Sequence, residues 1–435
     1  MQKTKSMSKI NLGLVGYGTV GSGVAKFLSR RKSFFKNKFN TEFVIRTICD
    51  VRQLENVRGL GKARLTRKFH DILNDPKIDI VIELIGGLHP AKEIIMEALK
   101  QGKHVITANK AVIANSGKEL FQLAKKQNRH LYFESSVGAG TPIIKMITEG
   151  LAGNKFKSIY GIINGTCNFI LSEMTQNNFS FGQALAEAQR RGFAESNPTL
   201  DINGMDSVHK LAILAYLAFG KFIDVKDIYR EGITHISHAD IEHATSLGLT
   251  IKLLAITKKE NDKIEVRVHP TLISQDHPLA SIHSIYNAFY INTDPQGNVL
   301  LSGEGAGQMA AASGVISDLV NFVSRGDRAT LPCNLYSEAS GLKIRKIDQI
   351  KTKFYIRFMV TDKPGVLSVI TGILGKHGIG INSVTQKAHN PTATVPVIML
   401  TDFTSEKMLR LALNKIDKLP VVKSKPVAIR MEKLL

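Results

Sequence analysis

The chain has 435 residues, of which 43% are hydrophobic and 22% charged, the balance of a globular protein long enough for several cores. It contains no uninterrupted apolar run of membrane-spanning length, its start from Met1 to Lys9 is basic and polar rather than a signal-peptide core, and its three scattered cysteines (Cys49, Cys167, Cys333) lack metal spacing, so a cytoplasmic protein is expected. The net charge of +21 divides between two stretches, with 16 Lys and Arg against 3 acids over residues 1–70 and 13 against 5 over residues 353–435; with no nucleic-acid-binding motif beside it, this excess reads as solvated faces, and neither nucleic acid nor a membrane is expected as a partner.

In chain order, residues 10–15 read as a buried strand, a glycine-rich turn follows, and a helix runs from Thr19 toward Arg31. Strands are expected at Phe43–Cys49, Ile78–Leu84, His104–Thr107 and Leu131–Phe133, with helices at about Pro90–Lys100 and Gly117–Gln127. Strands alternating with helices predict a doubly wound parallel sheet. The middle of the chain mixes strands (Lys157–Ile163, Ile264–Pro270, Ala288–Asn292) with helices (Phe181–Arg191, the strongly apolar Met205–Phe219, and Ala306–Ser324), which predicts an α+β substrate domain. Tyr336–Gln349 reads as a linker. From Lys353 the order is strand Phe354–Val360, helix Val366–Lys376, strands Gly380–Gln386 and Thr394–Thr401, helix Ser405–Lys418 and a strand near Val427–Met431, a ferredoxin-like βαββαβ pattern. The domains expected are therefore a dinucleotide-binding domain over 1–145, a substrate and oligomerisation domain over 146–335 whose last helix returns to the first, a linker over 336–352 and a small domain over 353–435.

Several segments carry chemistry. Gly16-Tyr17-Gly18-Thr19-Val20-Gly21 lies between a strand and a helix, the context in which G-x-G-x-x-G marks a dinucleotide site. Gly16 permits the tight turn, Gly18 the approach of a pyrophosphate and Gly21 close helix–strand packing, while Thr19 and Val20 open the helix whose free N–H groups face the phosphates. Asp50 ends the second strand, where an acid holds a ribose 2′-hydroxyl; Arg52, Arg58, Lys62 and Arg64 follow and suit a 2′-phosphate, so NAD and NADP both remain open. Thr107-Ala108-Asn109-Lys110 follows a strand, at the sheet end where ligands bind, and Lys110 there can meet cofactor or substrate. Glu134 through Pro142 is a loop of small residues whose carbonyls can bind a hard cation, or a purely structural turn. Asn164-Gly165-Thr166-Cys167-Asn168 presents amide and hydroxyl groups suited to orienting a small polar substrate; Cys167 has no basic partner adjacent in sequence. In Gly192 through Lys210, a loop bearing Glu195 and Asp201 leads into a helix on which Asp206 and Lys210 share a face. The apolar run Leu211–Ala215 then predicts a partly desolvated place for Lys210, where burial is expected to lower its pKa toward that of a proton-transfer group while Asp206 opposes the shift and fixes the ammonium; a plain helical ion pair is the alternative. Gly303-Glu304-Gly305-Ala306-Gly307 is a second glycine turn before a helix.

Taken together and in this order, these motifs resemble the homoserine dehydrogenase family over residues 10–335, and the C-terminal unit, with Asp362-Lys363-Pro364-Gly365-Val366-Leu367 and His377-Gly378-Ile379, resembles an ACT domain, an amino-acid-sensing fold. The resemblance implies reversible NAD(P)H-dependent reduction of L-aspartate 4-semialdehyde to L-homoserine in threonine, methionine and isoleucine biosynthesis. It implies Lys210 as the acid/base and Lys110 as a second lysine near substrate and cofactor. It also implies Glu195 and Asp206, with Asp201, as carboxylates that hold the amino group and order the site, and Gly192 and Gly305 as cofactor-contacting turns. Glu134, Val137, Ala139 and Thr141 match the family's monovalent-cation loop, for sodium or potassium. A homodimer or homotetramer and a threonine effector at the ACT unit are further expectations. The alternatives are a non-catalytic sensor of a dinucleotide and an amino acid, and another NAD(P)-linked amino-acid oxidoreductase. The chain departs from many relatives at Asn197, where they carry Asp, and at Cys49, where NADP-using ones carry Arg.

Overall fold

Chain order in the computed structural model is β1 (Ser8–Val15), α1 (Thr19–Arg30), α2 (Lys32–Phe39), β2 (Thr41–Cys49), β3 (Arg64–Thr66), α3 (His70–Leu73), β4 (Ile80–Glu83), α4 (Ala91–Lys100), β5 (His104–Thr107), α5 (Lys110–Lys126), β6 (Leu131–Tyr132), α6 (Ile143–Lys145), β7 (Lys155–Ile162), α7 (Gly165–Gln176), α8 (Phe181–Arg190), α9 (Thr199–Ile202) and α10 (Met205–Phe219). There follow β8 (Tyr229–Arg230), α11 (His238–Ser246), β9 (Leu249–Glu260), β10 (Lys263–Ser274), β11 (Tyr286–Asp294), β12 (Gly297–Glu304), α12 (Gln308–Arg325), β13 (Lys343–Ile344), β14 (Lys351–Thr361), α13 (Val366–Lys376), β15 (Ile381–Thr385), β16 (Thr394–Thr401), β17 (Thr404–Ser405), α14 (Glu406–Ile416) and β18 (Val422–Met431). The structure describes residues 7–54, 63–325, 341–386 and 394–433; Arg58, Lys62, Cys333 and the first part of the expected linker, 336–340, lie outside them.

The chain forms two compact units. The first gathers Met1–Ile159, Ser207–Ile228 and Ile285–Gly341, and the second Tyr160–Asp206, Tyr229–Ser284 and Leu342–Leu435. In the first, six strands pair in the order β3-β2-β1-β4-β5-β6, all parallel, the order of a dinucleotide-binding sheet. Its strands are nearly continuous apolar runs because both faces are covered. Leu12 and Leu14 of β1, Ile48 of β2 and Ile80 and Ile82 of β4 share one core with Val24, Ala25 and Leu28 of α1 and with Ala312, Val315 and Leu319 of α12. α12 reaches α1 because residue 23 is glycine: a Cβ there would stand 2.8 Å from the Gln308 carbonyl oxygen and 3.2 Å from the Ala312 Cβ. β11 and β12 form an antiparallel hairpin in the same unit.

The second unit is built on the β9–β10 hairpin, twelve residues a side, turned by Asn261-Asp262 with Asn261 at positive φ, the chemistry a two-residue hairpin turn requires. Its C-terminal part is a four-stranded antiparallel sheet in the order β18-β14-β16-β15. Phe354, Ile356 and Phe358 of β14 meet Ile370 and Leu374 of α13 and Leu409, Ala412 and Ile416 of α14 in its core, giving the expected βαββαβ arrangement. β18 ends by pairing in parallel with β10, Thr271 opposite Arg430 and Leu272 opposite Met431. Residues 341–349, read from sequence as linker, include β13, which pairs with β10, and a 3-10 turn over Ile347–Gln349.

Several local readings change. The helix expected from Gly117 begins at Lys110, because Asn109 caps it by accepting from the Val112 N–H at 3.1 Å. A helix, α7, starts directly after Asn164, whose side chain accepts from the Cys167 N–H at 2.8 Å. β9 and β12, absent from the sequence reading, are the partners of β10 and β11.

Candidate active site

The glycine fingerprint folds as the spacing requires. Gly16 has φ +95° and sits against the Leu84 backbone, 2.8 Å from where a Cβ would be. A Cβ on Gly21 would press into the Gly16 carbonyl oxygen. Gly18, the N-cap of α1, makes no side-chain cap, and a Cβ on it would meet nothing within 4 Å. The start of α1, with Thr19 and Val20, therefore offers uncapped N–H groups beneath open space, which fits a pyrophosphate. Asp50 sits at the end of β2, and its carboxylate accepts from the Tyr17 N–H at 2.8 Å, from the Arg52 N–H at 3.0 Å and from the Arg52 guanidinium at 2.9 Å to each oxygen. These bonds, with Arg52's side chain first among them, hold the Asp50 pKa far below the usual carboxylate range. The structure thus joins two residues that the sequence set in opposition: Arg52 neutralises Asp50 and also reaches the Tyr17 carbonyl, 3.0 Å away.

The ends of β4 and β5 carry a buried network that sequence reading missed. Glu83, fully buried, accepts from the Thr107 hydroxyl at 2.6 Å and from the Ile85 N–H at 2.8 Å; burial pushes its pKa up. The Thr107 hydroxyl in turn accepts from the Asn109 N–H at 2.9 Å, and the Asn109 amide donates to the Gly87 carbonyl at 2.7 Å. Thr107 is thereby held as a rigid strand end. Lys110 takes the first position of α5, where a cation opposes the helix dipole by roughly 0.3–1 kcal/mol, a cost consistent with a role outside helix stability. A Glu at the carboxyl end of a buried parallel strand was the one sequence signal for Glu83.

In the loop after β6, the Glu134 carboxylate turns onto the start of α6, accepting from the Ile144 and Lys145 N–H groups at 2.9 and 3.0 Å. Burial pushes its pKa up to about 7. The Glu134 N–H donates to Asp318 of α12 at 2.9 Å, and burial raises that second carboxyl well above its usual range. Val137, Ala139 and Thr141 follow, with Gly138 and Ala139 at positive φ. The carbonyl of Ala139 lies against Gly314 of α12, where a side chain would collide with it. The Thr141 hydroxyl is buried and without a hydrogen-bond partner, as are both polar atoms of the Asn287 side chain. The backbone comes close to both: a Cβ on Gly303 would run into the Thr141 hydroxyl, and one on Gly305 into the Asn287 amide. Among the described residues no group of three His, Cys, Asp or Glu side chains could hold a metal, so a cation here would rely on backbone carbonyls and the Thr141 hydroxyl, an oxygen set suited to a hard ion.

The second unit assembles the polar substrate candidates. The Asn164 amide donates to Asp201 at 2.8 Å and to Asp206 at 2.9 Å, while its oxygen caps α7. The Thr166 hydroxyl donates to the Phe193 carbonyl at 2.7 Å and stands 3.5 Å from Asp201. The Cys167 thiol points to the Asp201 carbonyl at 3.2 Å, a structural role rather than a nucleophile's. Asn164, Thr166, Asp201 and Asp206 therefore form one group, although 42 residues of sequence separate its ends. Glu195 lies on an exposed loop after Gly192, which has φ +73° and open space around its α-carbon. Asn197, the departure noted above, accepts from the Thr199 hydroxyl at 2.6 Å and N–H at 3.3 Å, bonds that help start α9. Asp206 is in the first turn of α10, and Lys210, four residues further along that helix, belongs to the first unit; they are 6% and 8% exposed. A side chain the sequence gave no reason to select is Lys252. It is buried on β9, donates to the Asn168 side chain at 3.3 Å and to the Ile282 carbonyl, and burial brings its pKa down to about 8.

Comparison with known proteins bears on these groups together. The profile of the homoserine dehydrogenase NAD-binding domain matches residues 16–134, that of homoserine dehydrogenase matches 142–320, and that of the ACT domain matches 354–421. A homoserine dehydrogenase of Neisseria gonorrhoeae is 38% identical over 433 residues, covering 98% of this chain and all of the relative. The crystal structure of a homoserine dehydrogenase from Thiobacillus denitrificans superposes with a TM-score of 0.91 at 39% identity, covering 98% of this chain and 99% of the other. A hyperthermophilic archaeal homoserine dehydrogenase solved in complex with NADPH matches with a TM-score of 0.63 at 28% identity, covering 73% of this chain and 98% of its own.

Proposed function

Starting from the fact that the chain belongs to the homoserine dehydrogenase family and is an NAD(P)-dependent oxidoreductase, we propose a division of labour among its residues for the interconversion of L-aspartate 4-semialdehyde and L-homoserine. The carrying observation is the Asn164 amide, which holds Asp201 and Asp206 at hydrogen-bonding distance at once. Two carboxylates so aligned, with Glu195 on the adjoining loop, suit the ammonium that substrate and product share.

NAD(P)H, when bound, supplies the hydride that converts the aldehyde carbon to an alcohol carbon. The uncapped start of α1, Thr107 and Lys110, and the turns at Gly192 and Gly305 are the groups assigned to holding it. The Arg52–Asp50 pair faces the adenosine end; with Asp50 neutralised, a 2′-phosphate meets no bare carboxylate there, which supports NADPH as the better cofactor. Lys210 donates its proton to the carbonyl oxygen as negative charge develops there, and recovers one from the hydroxyl in the reverse direction. Lys110 contributes a second positive charge to the reacting region. Sodium or potassium is assigned to the carbonyls of Glu134, Val137, Ala139 and Thr141, ordering the loop that the Glu134 carboxylate anchors.

The pathway role is the supply of homoserine for threonine, methionine and isoleucine. Threonine is the effector assigned to the ACT fold, the assembly is a homodimer or homotetramer, and the compartment is the cytoplasm, in keeping with the buried free thiols of Cys49 and Cys167. The direct test is initial-rate measurement with aspartate semialdehyde and NADPH or NADH, in sodium, potassium or choline chloride, with and without threonine. Turnover that prefers NADPH and rises with the alkali cation is expected. Equal rates with unrelated oxo acids would refute the substrate assignment.

A further inference from the structure

We propose that Arg430, at the end of β18 in the C-terminal module, is a positioning residue for the substrate-binding acids and acts through Glu231 on the turn that joins Asp201 to Asp206. This rests on the assignment of those acids to the substrate ammonium.

Arg430 is 3% exposed, and all three of its guanidinium nitrogens donate hydrogen bonds. It forks onto Glu406 of α14, Nε to Oε2 at 2.9 Å and Nη2 to Oε1 at 2.6 Å. Nη1 donates to Glu231 Oε2 at 2.6 Å and Nη2 to the Tyr229 hydroxyl at 2.9 Å; the Tyr229 hydroxyl donates to the same Glu231 oxygen at 3.1 Å. The guanidinium also lies 4.9 Å from the Tyr229 ring centroid. One side chain of the C-terminal module thus fixes both side chains that flank Arg230. His235 Nε2 is 3.3 Å from the other Glu231 oxygen.

From Glu231 the backbone leads directly to the acid loop. The Glu231 N–H donates to the Val268 carbonyl at 2.8 Å, tying the segment to β10. Gly232 lies so close to α9 that a Cβ would collide with the Ile202 carbonyl, and the Ile233 N–H donates to that carbonyl at 3.0 Å. On the other side, Gly204 (φ +84°) rests on Val268, on the Arg230 side chain and on the Glu231 carbonyl, with 3.3 to 3.6 Å to where its Cβ would be. Residues 202–204 are therefore gripped by 230–233, and they are three of the four residues between Asp201 and Asp206. A buried ion pair contributes little net stability, because desolvation offsets its attraction. What a forked guanidinium supplies is geometry, and here that geometry is passed to the turn.

The test uses the full chain. Glu231→Gln, Arg430→Lys and Arg430→Met are compared with Asp206→Asn by steady-state kinetics and thermal melting. Glu231→Gln is expected to raise the KM for aspartate semialdehyde roughly tenfold, with kcat within about threefold and the KM for NADPH unchanged. Arg430→Lys should fall between wild type and Arg430→Met on the same scale, and adding Glu231→Gln to Arg430→Met should raise KM little further. A melting temperature that falls while the aspartate semialdehyde KM stays at the wild-type value in Glu231→Gln and Arg430→Lys overturns the proposal. Asp206→Asn separates the two levels: if it leaves that KM unchanged, the ammonium assignment itself is wrong and the proposal falls with it; if it raises that KM while Glu231→Gln does not, only the proposal is lost.

Discussion

Asn164 does two things with one amide, and the two can be separated by substitution. Its oxygen caps α7, and its nitrogen bridges Asp201 and Asp206. Asn164→Ala removes both. The lost cap costs about 1 kcal/mol. The bond to buried Asp206 is a hydrogen bond to a charged group, about 1.5–3 kcal/mol; the bond to half-buried Asp201 is replaced in part by water, so it adds less. The total is about 3–5 kcal/mol of stability. Asn164→Ser restores a good N-cap but is too short to reach either acid, so about 1 kcal/mol returns and the carboxylates remain unaligned. Urea denaturation gives the stabilities, and initial rates with aspartate semialdehyde give kcat/KM. The expected result is a fall in kcat/KM of about a hundredfold in both variants, the equivalent of roughly 2.7 kcal/mol, with stability partly recovered only in the serine. If serine restored activity along with stability, the bridge would matter only as a helix cap and the alignment argument would be wrong.

The glycines of the fingerprint should separate in the same way: Gly18→Ala, with open space around it, should fold normally and raise the NADPH KM, whereas Gly21→Ala should fail to fold or melt far lower, because its Cβ meets the Gly16 carbonyl; equal melting temperatures would contradict this. The acid pair on α12 and the β6 loop predicts a pH trend. The Glu134 pKa is raised from 4.5 to about 7 in the folded chain, so the folded state keeps a proton that the unfolded state has released. Its stability contribution is fully present below about pH 4.5 and is lost as pH rises through about 7, on the order of 3 kcal/mol over that window. Glu134→Gln should lessen this decline without abolishing it, since Asp318 keeps a raised pKa of its own; melting curves with the same pH slope as wild type would count against it.

The parts of this molecule legible in sequence are those where one local signal decides. α10 and α13 have the bounds their apolar periodicity gives, Met205–Phe219 and Val366–Lys376, and the glycine fingerprint folds as its strand–helix context implies. The misses are informative. Asn164 and Asn109 are helix caps that the sequence does not announce, because a capping side chain and a ligand-orienting one look alike until the backbone is seen. Asn261-Asp262 turns the β9–β10 hairpin, but it lacks the glycine that marks the commonest two-residue turns. The site relations were out of reach for a different reason. Asn164 meets Asp206 across 42 positions, Glu83 meets Thr107 across 24, and Arg430 meets Glu231 across 199; no periodicity carries information over such distances. The Asp50–Arg52 pair is the opposite case: both residues stand out in the sequence as alternative readers of one ribose, and the fold shows them paired with each other.

The central claim is that Lys210 moves the proton. The measurement is the steady-state kcat/KM of Lys210→Ala with NADPH and aspartate semialdehyde, alongside its NADPH affinity from fluorescence titration. The account predicts a loss of about 10²–10⁴-fold with the affinity for NADPH kept. A turnover within a few-fold of wild type would contradict it.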